Sequence, residues 1–429
     1  MFRKQAICVV VAVMMFGVAA GEEPQAAEPD GTETITIKGT TYSVVSDEQL
    51  EAMGFELPDL AAEQNAATYY LKAVEAYWSL EGHDELSVLR DEVLRHGWTD
   101  EAAPLAEYLE KNKETLALLE QAATMPGCRF PVLVSEAAPV NAATMSGALF
   151  PQLARMREFA RLTLTVGRAR EFEKRYADAL EADMLALRIG NDVAQSPFLV
   201  SGLVGIACNR MGLGEIERCL VHYELDEETL TKAQKRIHAL LEHAPDLTLA
   251  VRGERVFVMT DYMGAMTEQV RKDAREFWAA MDKALEMPLP DFIRSAVGDE
   301  LAREAEARTS PPNVIALLGP ALQRARVLYA RNELSWTVLD VEFALARYAA
   351  KEGTHPATLD ELKPFMLSDG IDPYSGERLK YRLEADGAFT IWSVGENLTD
   401  DGGRPGERHN PTRGDADHVW SSALIRGAN

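Results

Sequence analysis

From Asp59 to about Arg308, apolar residues recur at the three- and four-residue intervals of a helix almost without interruption. That pattern confines most of the chain to helix packed on helix. Ala66, Tyr69, Tyr70, Ala73, Val74 and Tyr77 share the face of a first helix, which Asp59 is expected to cap. Further helices are predicted over roughly 84–95, 100–124, 146–172, 176–194, 198–220, 226–243 and 246–287. Pro126-Gly127, Pro131, Pro139, Pro197, Pro245, Pro288 and Pro290 punctuate them. Long helices joined by short breaks imply a mainly α protein, an array of helical hairpins built as an α-solenoid or a bundle.

The chain on either side of this array has a different pattern. Arg3 and Lys4, the apolar run Ala6 to Ala20, and the small residues Val18-Ala-Ala20 have the layout of a secretory signal peptide over 1–20. The run is shorter than the ~20 residues a membrane span requires. Export to the periplasm or beyond is therefore expected, with cleavage near Ala20. Residues 21–58 read as a leader ending in a small hairpin, with Ile35, Ile37, Tyr42 and Val44 alternating across Gly39. Ser46 and Gln49 then form the capping box of a short helix ending near Gly54. The formal charge of −24 becomes two units more negative once Arg3 and Lys4 are removed. Such a surface repels phosphate backbones and anionic lipid, so nucleic acid and membrane surfaces are poor partners. Cys128, Cys208 and Cys219 survive maturation, an odd number. Cys208 and Cys219 on one helix would be ~16 Å apart, too far to bridge, so no disulfide framework is expected.

The helical domain is expected over 59–310, with Pro311-Pro312 at the boundary and an α+β domain over 313–429. There a long helix from about 320 to 351 precedes the turn Asp372-Pro-Tyr-Ser-Gly376. Two strands follow, marked by Leu379, Tyr381 and Leu383 and by Phe389, Ile391 and Trp392. Asp386-Gly387 between them is a two-residue turn signal. A last strand around Val419 and Trp420 would complete three antiparallel strands on the long helix. This order, with the acidic stretches Asp400-Asp-Gly-Gly403 and Asp415-Ala-Asp417, resembles the soluble C-terminal domain of the major pseudopilin of type II secretion systems. The resemblance implies a calcium site in the loop before the last strand. Asp415 and Asp417 match the family's acidic pair, and Asp400 and Asp401 approximate the upstream acidic position. The chain departs from the family by inserting Arg404 to Arg413. It also lacks the processed N-terminal helix from which pseudopilins assemble, so it is not expected to be a filament subunit. The other reading of the loop is a solvated turn built on its Asp-Gly pairs.

Elsewhere, Gly167, Tyr176, Ala179 and Ala186, with the stripe Leu180, Met184 and Leu187, resemble one tetratricopeptide hairpin, although Asp183 stands where that family prefers an aromatic. His238, Glu242 and His243 do not make a zinc motif, because residues five apart on a helix point ~140° away from each other. Arg252, Glu254 and Asp261 are the candidate charged cluster in the helical region, against the simpler reading of a structural ion pair. The sequence thus supports an exported interaction scaffold with an unidentified protein partner. The alternative is a periplasmic hydrolase acting through Arg252, Glu254 and Asp261.

Overall fold

The computed structural model describes residues 33–58, 60–135, 150–261, 268–307, 314–404 and 417–423. Among them the chain opens with strands β1 (Thr34–Ile37) and β2 (Thr40–Val44), then helix α1 (Asp47–Met53). Ser46 and Gln49 form the expected capping box, and Gly54 closes α1 in the left-handed conformation. Helices α2 (Ala66–Ala76), α3 (Asp84–His96), α4 (Pro104–Lys111) and α5 (Lys113–Ala123) follow. Asp59 lies outside the described residues. The cap of α2 is Asn65, whose side chain accepts from the Ala67 amide.

The single helix expected over 100–124 is two. Asn112, fully buried, accepts from the Trp78 amide at 3.0 Å and donates to the Trp78 and Tyr108 carbonyls. A side chain that satisfies backbone groups at a break stabilises the break. Strand β3 (Leu133–Ser135) then pairs with β2, Val44 opposite Leu133, so the N-terminal hairpin becomes a three-stranded antiparallel sheet. The expected leader is thereby tied into the helical body: Ile37 belongs to the core formed by Tyr70, Leu105 and Phe159, and Val45 packs with Val134 and Phe198.

Helices α6 (Gln152–Phe172), α7 (Tyr176–Ala194) and α8 (Leu199–His222) are the closest-packed part of the fold. A Cβ on Gly205 would meet the Gly190 carbonyl oxygen at 2.5 Å, so α7 and α8 approach with backbone against backbone. Next come α9 (Glu227–Leu241), α10 (Leu247–Asp261), α11 (Glu268–Glu286), α12 (Leu289–Ser295) and α13 (Val297–Ala307). The last two follow the prolines that the sequence marked only as breakers. Cys128, Cys208 and Cys219 are buried and free.

Helix α14 (Val314–Glu352) runs 39 residues and serves two cores. Leu322, Ala325 and Tyr329 pack with Phe277, Trp278 and Phe292 of the helical body. Val338, Val341 and Leu345 pack with Phe389 and Ile391 of the second sheet. That sheet orders β4 (Lys380–Leu383), β5 (Phe389–Ser393) and β6 (His418–Ser421), all antiparallel, with Ile391 opposite both Tyr381 and Trp420. The mainly α architecture of packed hairpins, followed by a long helix on three antiparallel strands, is the one expected. The β4–β5 connection is longer than a two-residue turn. The Glu384 amide donates to the Ala388 carbonyl across Ala385, Asp386 and Gly387, with Gly387 at φ +83°.

Candidate functional site

The acidic C-terminal loop gathers three of its four candidate residues. Asp400 Oδ1 accepts from the Trp392 indole N–H and the Gly402 amide, both at 2.9 Å. Asp401 Oδ2 accepts from the Asn397 side-chain amide at 3.0 Å. Asp417 accepts from the Asp401 amide at 3.2 Å and the Gly403 amide at 2.8 Å. Gly402 and Gly403 stand at φ +76° and +70°, a conformation that suits residues without a Cβ. The Trp392 N–H, with the Gly402 amide, holds the Asp400 carboxyl below its usual range. Burial pushes Asp417 up, against the pull of its two amide bonds, and the Asp400 and Asp401 charges push the same way. Asp415 lies outside the described residues. Among the described residues no group of three or more His, Cys, Asp or Glu side chains is arranged to hold a metal ion. In this structure the carboxylates fasten backbone amides of a left-handed turn.

The charged candidates on α10 do not converge. Arg252 is exposed and stands 3.7 Å from Glu56. Glu254 is buried and accepts from the Leu199 amide at 2.9 Å, capping the start of α8 from a distant helix. Gly253 makes this possible: a Cβ there would run into the Pro197 carbonyl, so only glycine lets α10 come so near. Burial raises the Glu254 carboxyl to about 7. Arg255, one residue on, pairs with Asp282 and lies over the Trp278 ring. The side chain of Asp261 is not among those described.

The most buried charges among the described residues lie in helices that no motif marked as a site. Arg168 of α6 bridges to Glu215 of α8 at 3.0 Å, and Arg218 pairs with Glu171 and Glu215. Asp183 sits beside them, its Oδ2 unpartnered and its carboxyl pushed well up by burial and then by Glu215 and Glu171. A Cβ on Gly167 would collide with it, so the small residue read as a hairpin signature is the one that admits Asp183. Arg188 holds Asp192, which also accepts from the Tyr70 hydroxyl at 2.8 Å. Glu342 of α14, 2% exposed, has no partner on either oxygen. It faces the charge of Glu217 on α8, itself raised to about 8 by burial and bonded to Trp420.

A cavity of about 980 Å³ opens beneath the N-terminal sheet. Val44, Val45 and Val132 come from the strands and the chain beside them, Leu50, Phe55 and Leu57 from α1 and its exit, and Phe150 and Phe198 from the helical body. Phe198 packs at a tilt against its neighbours, with ring centroids 5.9 Å from Phe55 and 4.8 Å from Phe150. Polar groups share the lining: Glu33, Asp47, Glu48 and Glu56 give it an acidic margin, Asn65 bonds the Arg129 backbone, Gln195 accepts from the Cys128 amide, and Arg129 pairs with Asp47 at 2.8 Å. Gln152, at the start of α6 and 2% exposed, keeps Oε1 unpartnered. Comparison of the chain with protein-family models, with curated proteins and with solved structures finds no match. Fold and site define a class only in physical terms: packed helical hairpins carrying two small antiparallel sheets, with a large cavity of mixed apolar and acidic lining under the first.

Proposed function

We propose that the chain is an exported, non-enzymatic binding protein whose helical hairpins form a scaffold and whose cavity receives an apolar segment of a partner protein. The cavity carries this reading. Its volume of about 980 Å³ and its apolar floor of Leu50, Phe55, Phe150 and Phe198, edged by acidic side chains, have the character of sites that bind by burial. Gln152 offers an occupant one buried hydrogen-bond acceptor. The divergence of Arg252 and Glu254 favours the scaffold over the hydrolase alternative. Export rests on the pattern of residues 1–20, and no helix among the described residues is long and apolar enough to cross a membrane. The order of helix, Asp372 turn, hairpin, acidic loop and last strand supports kinship of the C-terminal region with the pseudopilin domain.

The test is binding of the neutral fluorophore N-phenylnaphthylamine to the full chain, with competition by an apolar peptide. Saturable enhancement that the peptide reverses is expected. Val44→Phe, which pushes a ring into the cavity, and Leu57→Glu, which charges its apolar wall, should each weaken it at least 10-fold while melting stays cooperative. Undiminished binding in both variants would overturn the assignment. A second reading concerns calcium at Asp400, Asp401, Asp415 and Asp417. Its support is the upward push that Asp400 and Asp401 exert on Asp417, a repulsion a divalent cation relieves.

A further inference from the structure

A second cleft, separate from the cavity under the sheet, lies where the helical body, α14 and the C-terminal region meet. It measures about 470 Å³, within the range of small-ligand sites. The α9–α10 connection supplies Ala244, Pro245 and Asp246, α14 supplies Tyr329, Asn332 and Trp336, and Pro373 of the Asp372 turn closes one side. Asn332 and Trp336 are 3% and 2% exposed. They stand one helical turn apart, so they share a face of α14 about 6 Å apart along its axis.

Each residue leaves a polar atom unanswered. Asn332 Oδ1 has no donor and the Trp336 indole Nε1–H has no acceptor. Leaving such a group buried and unpaired costs ~1–3 kcal/mol, so two on one wall of one cleft call for a common partner. The charges lining the cleft set the sign of that partner. Arg326 is held by the Ala284 and Met287 carbonyls at the end of α11, whereas Asp246 and Glu333 present carboxyl groups to the cleft, that of Glu333 raised by partial desolvation. Asp246 accepts from the Thr248 amide at 2.8 Å, which fixes its carboxyl group beside the cleft. Leu241, Leu247 and Leu289 give the remaining wall an apolar surface.

We propose that this cleft binds a short basic peptide. One of its amide groups donates to Asn332 and accepts from Trp336, an apolar side chain lies against the leucines, and its cationic group faces Asp246 and Glu333. The two α14 residues read the peptide's backbone amide, and the two acids select against acidic sequences.

The experiment uses the full chain with ¹⁵N-labelled tryptophan and the dipeptide amide leucyl-lysinamide as probe. The Trp336 indole resonance, identified by its loss in Trp336→Phe, should move and saturate as the probe is added, while leucyl-glutamate leaves it in place. Asn332→Leu should weaken binding roughly 10-fold through loss of one buried hydrogen bond. Glu333→Gln, at an exposed position that folding tolerates, should weaken it roughly 3-fold. Should Asn332→Leu fail to fold, the Glu333→Gln shift still decides. The proposal is overturned if the indole resonance stays fixed at millimolar leucyl-lysinamide, or if folded Asn332→Leu binds as well as the parent. A crystal soaked with the probe that shows only ordered water at the two atoms overturns it as well.

Discussion

The two small sheets are built alike on paper and held together differently. Each has three antiparallel strands beginning with a local hairpin. In the C-terminal sheet the central strand β5 is buried along its whole length and backed by α14. Asp372, 1% exposed, sits behind it and accepts from the Tyr374 and Val394 amides and from the Ser375 and Ser393 hydroxyls, at 2.8–3.2 Å. Among the described residues the N-terminal sheet has no such internal acceptor. Thr34, Thr36, Thr40 and Thr41 leave its surface polar, and the third strand, three residues long, arrives only after α5. One sheet is fastened from within, while the other closes over a cavity. A sheet that roofs a binding space gives up the packing that the fastened sheet keeps.

This contrast predicts an order of sensitivities. Asp372→Ala should be the most damaging, at about 4 kcal/mol, because it strands several buried donors at once. Denaturant unfolding reads it directly, and a loss no larger than an ordinary surface substitution would erase the distinction between the sheets. Ile391→Ala, at the centre of the C-terminal sheet, should cost about 3 kcal/mol by the same measurement. Val134→Ala, in the edge strand β3 of the first sheet, should cost about 2 kcal/mol, the loss of two methyl groups from a site with more room to adjust. Equal costs would show that the cavity does not soften the first sheet.

Glu254, which steadies the start of α8 beside the cavity floor, adds a pH dependence to the N-terminal side. Its folded value of about 7 lies above the ordinary 4.5, so between those values the native state holds a proton that the unfolded chain has released. The stability it contributes is complete below about 4.5 and is lost as pH climbs through about 7. Glu254→Gln keeps an acceptor for the Leu199 amide and should gain up to about 3 kcal/mol over the parent at pH 8, with little change at pH 4. Melting curves at the two pH values check it. The smallest expected effect belongs to the C-terminal loop. With its carboxylates already bonded to amides, calcium at a concentration equal to Kd should add about 0.4 kcal/mol. Asp401→Asn with Asp417→Asn should abolish that increment in a thermal shift assay.

Legibility in the sequence followed the range of the interactions. The α1 capping box lies within four residues, and helix α7 is held by its own stripe of Leu180, Met184 and Leu187. Both were readable at their true positions. Strand β3 was not, because three residues after Pro131 carry no period and their partner is β2, far back in the chain. Helices α12 and α13 were hidden behind Pro288 and Pro290, although proline is well placed to begin a helix. The acidic loop was visible as a cluster of aspartates, but its use as an acceptor for the Gly403 and Trp392 N–H groups depends on how the loop folds back. The cavity and the cleft escaped entirely, since their walls come from segments that no local pattern links. Asn332 and Trp336 share a helical face, yet nothing in their spacing says that their polar atoms will be left unpaired.

The long helix α14 fixes a rotational phase between two parts of the molecule. Tyr329 and Leu322 must point into one core at the same time as Val338 and Leu345 point into the other. Each residue added between those anchors would turn the second half by about 100° relative to the first. One extra residue would swing the face that meets β5 toward solvent. An insertion of about seven or eleven residues would bring it nearly back into register. Length variation between Tyr329 and Val338 is therefore quantised by helical periodicity, whereas the chain between α14 and β4 is free of that rule.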